Sequence, residues 1–296
     1  MASDRVKLLF DTDIGSDIDD AVALAYLLCQ PRCELLGITT VSGEPDLRAE
    51  MASAICRNVG RDDVPIHAGC PEALLTRMPQ QTAPQAQALA DWDRRRDFSA
   101  NTAVEFMRQT IRAHPGEVTL LAVGPMTNVA ILFATDPEIP ALLGQLVLMC
   151  SRCFNAMGGE WNAINDPHAA AIVYGHGCQS RPPRHVTFGL DVTLKCWMPH
   201  GDCRDRFTAK ALRPVRDFAE VWFKQRDRIT FHDPLGAAGI FEPDLCRYRR
   251  GEITVSLDEP TAGWTVFRED EAEGPHIIAA EVDPQRFFEH YFGVVK

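Results

Sequence analysis

The most closely spaced ionisable side chains in the sequence are a group of carboxylates near its start. Five aspartates fall within residues 11–20: Asp11, Asp13, Asp17, Asp19 and Asp20. No Lys or Arg occurs between Lys7 and Arg32 to balance them. Like charges this close disfavour one another's ionisation, and a helix N-terminus offsets only about 0.3–1 kcal/mol per anion. Because Ca²⁺ and Mg²⁺ prefer oxygen ligands, the pattern indicates a site for a hard divalent cation.

Two other interpretations of this segment stay open, and a third is excluded. A solvated acidic loop with Asp17 or Asp19 capping a helix needs no cation. A haloacid-dehalogenase-type phosphatase also begins with Asp-x-Asp after a strand, with Asp11 as nucleophile, although Gly15 stands where such enzymes usually have Thr or Val. An EF-hand is excluded by spacing, because the position of its final Glu is taken by Val22.

Three further polar groups follow apolar runs later in the chain. Gly124-Pro125 predicts a turn whose backbone carbonyls are free to face a cation. The stretch from Glu160 to Asn162 concentrates hydrogen-bonding groups suited to hydroxyls. His232 precedes Asp233, which places an imidazole suited to acid or base catalysis beside a carboxylate.

The elements that must position these residues alternate between strand and helix patterns. Strands are predicted at 6–10, 34–41, 66, 118–123 and 146–150, and helices at 21–28, 47–59 and 127–134. This alternation predicts an α/β fold with a mostly parallel, doubly wound sheet, whose ligands bind at the carboxyl ends of the strands. We expect a hairpin from 253–257 and 264–267, a closing helix at 284–291, and a surface connection or lid at 77–101. No linker divides residues 1–296, so one domain is expected.

Composition excludes several classes of protein. The chain has 30 Lys and Arg against 41 Asp and Glu, a net charge of −11, which disfavours a nucleic-acid partner. Residues 118–135 carry no charge, but Gly124-Pro125 interrupts them, so we expect no membrane span. The ten cysteines are scattered and no signal peptide is evident, which favours a reducing cytoplasm. Cys150 and Cys153 lack a second pair at zinc spacing, so redox or zinc chemistry is disfavoured.

Taken together and in this order, the aspartate motif, the Gly-Pro turn, the Glu-x-Asn motif and the His-Asp-Pro motif resemble the inosine-uridine nucleoside hydrolase family. The likeness includes 263–266 and 281–283 and covers essentially the whole chain. It implies an open, mostly parallel, Rossmann-like sheet flanked by helices, with one bound Ca²⁺. It also implies hydrolysis of the N-glycosidic bond of a ribonucleoside to free base and ribose, and assembly as a homodimer or homotetramer.

The resemblance assigns roles to individual residues. Asp13 corresponds to a calcium ligand that is also the base deprotonating a calcium-bound water. The further calcium ligands it implies are Asp20, Asp233 and the backbone carbonyl of Val123.

On the substrate side, the resemblance implies that Asp19, Glu160 and Asn162 contact the ribose hydroxyls. His232 corresponds to a residue that protonates the leaving base in some family members. The oxocarbenium-like transition state of such a reaction is stabilised by carboxylates around the sugar.

The sequence also departs from the family pattern. Glu44 stands where many members have Asn, and the usual lid His-Gly is absent around residues 90–97. The usual Gly-Gly is missing from residues 149–155, where Asn155 is a candidate substrate contact. Trp92 and Trp222 are candidates to stack on a base. These changes leave open a non-catalytic binder of nucleosides or ribosyl ligands with the same fold.

Overall fold

The fold is built on one large sheet, seen in a computed structural model that describes residues 5–154, 158–175 and 183–296. Its nine strands lie in the order β10-β9-β11-β6-β5-β4-β1-β2-β3. Their bounds are β1 Val6–Thr12, β2 Cys33–Thr40, β3 Ile66–Ala68, β4 Val118–Ala122, β5 Gln145–Met149, β6 Arg184–Phe188, β9 Cys246–Val255, β10 Thr265–Glu269 and β11 His276–Val282. A separate antiparallel pair joins β7 (Trp197–Pro199) to β8 (Arg228–Thr230).

Helices cover the sheet. Their bounds are α1 Asp19–Cys29, α2 Pro45–Asn58, α3 Ala103–Ala113, α4 Thr127–Thr135, α5 Ile139–Leu142, α6 Trp161–Asn165, α7 Pro167–Gly175, α8 Leu190–Thr193, α9 His200–Arg206, α10 Leu212–Trp222, α11 His232–Phe241 and α12 Pro284–Val294. Short 3₁₀ helices span Pro84–Asp91 and Pro243–Leu245. The predicted α/β fold with a mostly parallel sheet is confirmed, and α1 begins two residues before the predicted helix.

The core lies on both faces of the sheet, as the sequence of its central strand requires. Leu8 and Phe10 belong to one buried hydrophobic cluster, whereas Leu9 between them belongs to the other. Successive side chains of a strand point to opposite faces, so an apolar run such as that of β1 serves both clusters.

One edge of the sheet is antiparallel. β9 and β10 form the hairpin predicted from residues 253–257 and 264–267, with β9 extending back to Cys246. Next to it, β11 pairs antiparallel with β9 and parallel with β6. The parallel strands on the other side of β11 bring their carboxyl ends to a common edge, where the polar motifs lie.

The segment joining β1 to α1 carries the aspartate cluster and turns sharply. Gly15 adopts a φ of +113°, and a Cβ there would lie 2.7 Å from Met51 Sδ, so only glycine fits without strain. The buried Arg48 side chain donates hydrogen bonds to the carbonyls of Asp13 and Ile14 in this segment. The aspartates are therefore held by a rigid loop.

The closing helix α12 packs on α1. Tyr291 donates a hydrogen bond of 2.9 Å to the Val22 carbonyl, and its ring stacks on Tyr26 at a centroid distance of 5.7 Å. Among the described residues, no helix combines the length and apolar character that crossing a membrane requires.

Candidate active site

A cavity of about 150 Å³ lies at the carboxyl end of the sheet. Its acidic lining comprises Asp13, Asp17, Asp19, Asp20, Glu160 and Asp233. The other residues along it include His232, Asn162, Gln80 and Trp161. The cavity therefore gathers groups from the β1–α1 loop, α1, α6 and α11, which are distant in sequence.

Three of the carboxylates form a cluster. Asp19, Asp20 and Asp233 each offer an oxygen, and these atoms lie within 4.8 Å of one another. Asp233 is the second residue of α11, and its backbone N–H donates to Asp19 Oδ2 at 3.0 Å, which joins the starts of α1 and α11. Burial raises the pKa of all three carboxyls well above the usual range, and neighbouring carboxylates raise it further. Such a donor set suits a hard divalent cation, which would offset this repulsion.

Asp13 lies beside this cluster. Its backbone N–H donates to Asp20 Oδ1 at 3.2 Å, and its carboxylate accepts a hydrogen bond from the Gln80 amide. Burial raises the pKa of Asp13, and this effect is opposed by the Arg48 charge and the Gln80 hydrogen bond. The Arg48 charge and the Gln80 hydrogen bond thus favour the ionised form of Asp13, and an ionised carboxylate next to a cation site is suited to accept a proton.

Asp11 is separate from the cavity although it belongs to the same motif. Its side chain is fully buried, and Oδ1 accepts hydrogen bonds from Thr39 at 2.5 Å and Asn128 at 2.8 Å. Burial raises the pKa of Asp11 to about 7. A buried carboxyl cannot serve as the exposed nucleophile that the phosphatase interpretation requires, so Asp11 is a structural residue.

Glu160 and Asn162 form the opposite wall. Glu160 is the N-cap of α6 and accepts hydrogen bonds from the N–H groups of Asn162 at 2.9 Å and Ala163 at 3.1 Å. Burial raises the pKa of Glu160 to about 7. The Asn162 amide donates to the Val123 carbonyl at 2.6 Å and the Met149 carbonyl at 2.9 Å. These bonds bring the ends of β4 and β5 to the cavity together with α6.

His232 occupies the first position of α11. Its Nδ1 is 2.7 Å from the Thr193 hydroxyl, so Nε2 is the ring nitrogen left for a ligand. Burial lowers the pKa of His232 to about 4, so the ring is neutral near pH 7. A neutral imidazole held in this way is able to exchange a proton through Nε2.

Sequence reasoning missed two residues of the cavity with hydrogen-bonding side chains, Gln80 and Trp161. Gln80 belongs to the segment of residues 78–83, which lacks any periodic pattern. Trp161 lies between the two predicted ribose contacts and is 51% exposed. Its neighbours in the Glu-x-Asn motif were the signal that could have indicated it.

Three predicted substrate contacts lie outside this cavity. Glu44 is half-buried and accepts a hydrogen bond of 2.9 Å from the Ala83 N–H, outside the cavity lining. Trp92 donates to Asp217 at 3.1 Å and packs against the core. Trp222 lines a neighbouring cavity of about 310 Å³, together with Ser16 and Arg226. Asn155 lies outside the described residues.

Comparison with known proteins gives consistent matches over most of the chain. The family model described as inosine-uridine preferring nucleoside hydrolase matches residues 8–289. Uridine nucleosidase 1 of Arabidopsis thaliana is 28% identical, over 88% of this chain and 81% of that protein. The pyrimidine-specific ribonucleoside hydrolase RihA of Citrobacter koseri is 30% identical, over 81% of this chain and 80% of its own length.

A solved structure is also similar to this chain over almost its whole length. The purine-preferring ribonucleoside hydrolase from Gardnerella vaginalis superimposes with a TM-score of 0.84, at 25% identity and 98% coverage of both chains. The relatives named here differ in the bases that their names specify, so the comparisons do not single out one base.

Proposed function

Since the chain belongs to the inosine-uridine preferring nucleoside hydrolase family and is thereby an N-glycosidase, we propose that it hydrolyses ribonucleosides to free base and ribose. The observation that carries the proposal is the arrangement of the cavity. A carboxylate cluster from the β1–α1 loop, α1 and α11 faces Glu160 and Asn162, and His232 lies on the same cavity.

We propose that the resident metal ion is Ca²⁺. The proposed carboxylate ligands are Asp13, Asp20 and Asp233: the Asp20 and Asp233 oxygens lie within 4.8 Å of each other, and the Asp13 N–H donates to Asp20 Oδ1. The Val123 carbonyl, which accepts a hydrogen bond of 2.6 Å from the cavity residue Asn162, is proposed as a further ligand. When bound, such an ion acidifies and positions a water and neutralises the carboxylates.

Different residues of the chain carry out the separate steps of the proposed reaction. Asp13 accepts the proton of the attacking water. Asp19, Glu160 and Asn162 bind the ribose hydroxyls, and the surrounding carboxylates stabilise positive charge on the sugar ring as the glycosidic bond breaks. Because burial raises the pKa of Glu160 to about 7, its carboxyl is partly protonated near pH 7, and the protonated form is able to donate as well as accept a hydrogen bond.

His232 is proposed to assist departure of the base. The Thr193 hydroxyl lies 2.7 Å from Nδ1 and donates to the Gly189 carbonyl, so Nδ1 holds its proton and Nε2 is the nitrogen through which the protonated ring would pass a proton to the departing base. General acid catalysis of this kind contributes about 10²–10⁴-fold to a rate. Trp222, in the neighbouring cavity, remains the candidate aromatic contact for the base.

The direct test is ribose release across a panel of purine and pyrimidine nucleosides. We expect release from at least one of them, loss of activity on chelation, and recovery with Ca²⁺. Asp13→Asn should lower kcat by about 10²–10⁴-fold, because its neutral amide cannot accept the proton. Asp62→Asn, an exposed carboxylate paired with Arg57, is the matched control and should retain activity. Activity that resists chelation, or an active Asp13→Asn protein, would refute the mechanism.

Three broader expectations accompany this function. Residues 1–296 are proposed to form one domain, since both hydrophobic clusters pack on one sheet. A cytoplasmic location is proposed from the free thiols of the cysteines among the described residues. Assembly as a homodimer or homotetramer remains a prediction, which sedimentation velocity would test.

A further inference from the structure

Gln80 is an amide side chain of the cavity to which neither the motifs nor the proposed chemistry gives a role. It is 7% exposed and belongs to residues 78–83, which have no regular secondary structure. A buried, neutral amide in contact with the presumed proton acceptor requires an explanation, because each of its polar atoms must be satisfied.

The backbone around Gln80 is fixed from several sides. Its N–H donates to Asn165 Oδ1 at 3.0 Å, and its carbonyl accepts from the Ser42 hydroxyl at 3.0 Å. The Thr82 carbonyl accepts a bond from Arg48 at 3.1 Å, and Glu44 accepts the Ala83 N–H at 2.9 Å. The segment is therefore attached to the same loops that hold the aspartates.

The orientation of the Gln80 amide follows from its partner Trp161. The indole Nε1–H lies 2.7 Å from Oε1, and an indole N–H can only donate a hydrogen bond. Oε1 is therefore the accepting atom, and Nε2 must face the other way. There it donates to Asp13 Oδ2 and, at 3.3 Å, to the Ser42 hydroxyl.

A continuous hydrogen-bond chain thus runs from Trp161 through Gln80 to Asp13. Trp161 is anchored by the first turn of α6, whose N-cap is Glu160. The amide fixes the rotation of the Asp13 carboxylate without placing a positive charge on it, so that the second oxygen stays available. A side chain that acts through another group in this way is a positioning residue.

We propose that Gln80 positions the Asp13 carboxylate for proton transfer and that the Trp161 indole determines the orientation in which Gln80 does so. The proposal rests on the function assigned to Asp13 above. It adds Gln80, from a segment that shows no motif, to the machinery of the site.

Kinetics of the nucleoside that is hydrolysed fastest provide the first test. Gln80→Leu, which keeps the volume and removes the bonds, should lower kcat by about tenfold or more while KM changes less than about threefold. Gln80→Glu should lose at least as much, because a carboxylate would face Asp13. Trp161→Phe should have a smaller effect. Combined with Gln80→Leu, it should add little, since both act in one chain.

Gln81→Leu is the matched control. Gln81 is the next residue, lies outside the cavity lining, and donates its amide to the Met78 carbonyl at 2.6 Å within the same segment. We expect its kcat to stay within about twofold of the unchanged protein. An equal loss in both variants would assign the effect to loosening of the segment and overturn the proposal, as would a Gln80→Leu protein with unchanged kcat.

A spectroscopic test does not depend on activity. The chain has five tryptophans, so ¹⁵N-labelled indole N–H signals can be assigned, with Trp161 identified by its loss in Trp161→Phe. Gln80→Leu should move this signal towards that of a water-exposed indole, and Asp13→Ala should move it through Gln80. If no nucleoside is hydrolysed, the proposed function fails while these shifts still support the hydrogen-bond chain. A Trp161 signal that neither variant moves would overturn it.

Discussion

The His232 ring meets the cavity with one nitrogen already engaged. The Thr193 hydroxyl at 2.7 Å from Nδ1 is able to accept from an N–H there or to donate to a bare nitrogen. Because the same hydroxyl donates to the Gly189 carbonyl at 3.1 Å, it accepts from Nδ1–H, and Nε2 of the neutral ring is bare. Nε2 is thus free to take up a proton, which the protonated ring can donate to the departing base.

We expect Thr193→Val to lower kcat for natural nucleosides by about tenfold or more, because the isosteric side chain leaves Nδ1 without a partner. Thr193→Ser, which restores the hydroxyl, should recover most of the rate. The comparison substrate is a riboside with an activated leaving group, which needs no protonation and should be little affected. Equal losses on both substrates would contradict a role in leaving-group protonation.

At the level of single residues, the sequence predicts a side chain where its type and spacing form a motif. Asp13, Asp19, Asp20, Glu160, Asn162, His232 and Asp233 were proposed from motifs, and the fold brings them to one cavity. The sequence did not identify Gln80 as a site residue, because its position in the cavity depends on hydrogen bonds with Ser42 and Asn165, which are distant in the chain. Trp92 was proposed as a base contact, but its indole bonds to Asp217 instead.

The helix α11 carries both His232 and Asp233, so its packing decides where these two side chains lie. α11 lies close against β6 because Gly239 presents no side chain to it. A Cβ at Gly239 would lie 2.4 Å from the ring of Phe188, which is 1% exposed. The placement of two proposed catalytic groups therefore depends on a glycine seven residues away from His232 on the same helix.

Gly239→Ala should lower the free energy of unfolding by about 1–3 kcal/mol, because a buried ring must move. The matched control is Gly293→Ala in α12, where no atom lies within 4 Å of the added Cβ. There the substitution should be neutral or stabilise by up to about 1 kcal/mol. Urea denaturation measures both. Phe188→Leu should be better tolerated in the Gly239→Ala background than alone, and simple additivity of the two changes would contradict the packing argument.

Among the elements, local patterns predicted the parallel strands β1 to β5 and the hairpin of β9 and β10. They did not predict β6 or β11, although residues 281–283 had been noted as part of the resemblance. β11 joins β6 through His276–His185 and the two following pairs, which are about ninety residues apart. A pairing of this kind is decided by the closing of the whole sheet rather than by nearby residues.

At the scale of the whole molecule, a buried histidine should make stability depend on pH. His276 is fully buried, with Nδ1 accepting the Ile253 N–H at 2.9 Å and Nε2 facing the Tyr174 carbonyl at 3.1 Å. Only the neutral ring fits both bonds, and burial lowers the pKa of His276 to about 4. The hydrogen bond to the Tyr174 carbonyl and the charge of Glu252 raise this pKa and so oppose the effect of burial, and the His185 ring lies at a centroid distance of 4.7 Å.

Because the folded pKa is below the unfolded value of about 6.5, the unfolded chain binds a proton first as the pH falls. The contribution of His276 to stability is thus intact above about pH 6.5 and is lost between about pH 6.5 and 4, by up to about 3 kcal/mol. Urea denaturation across this range should show a shallower decline for His276→Asn, whose Oδ1 still accepts the Ile253 N–H. The same slope in both proteins would contradict the assignment.

The packing of α12 on α1 has a consequence for synthesis on the ribosome. β1 and α1 emerge early, and β1 finds its neighbours β2 and β4 within the first half of the chain. The outer side of α1 that meets Tyr291 has to wait for residues 284–294, because α1 ends at Cys29 and these residues are synthesised long after it. A nascent chain consequently keeps an apolar helix surface uncovered, next to the aspartate cluster, until those residues have emerged.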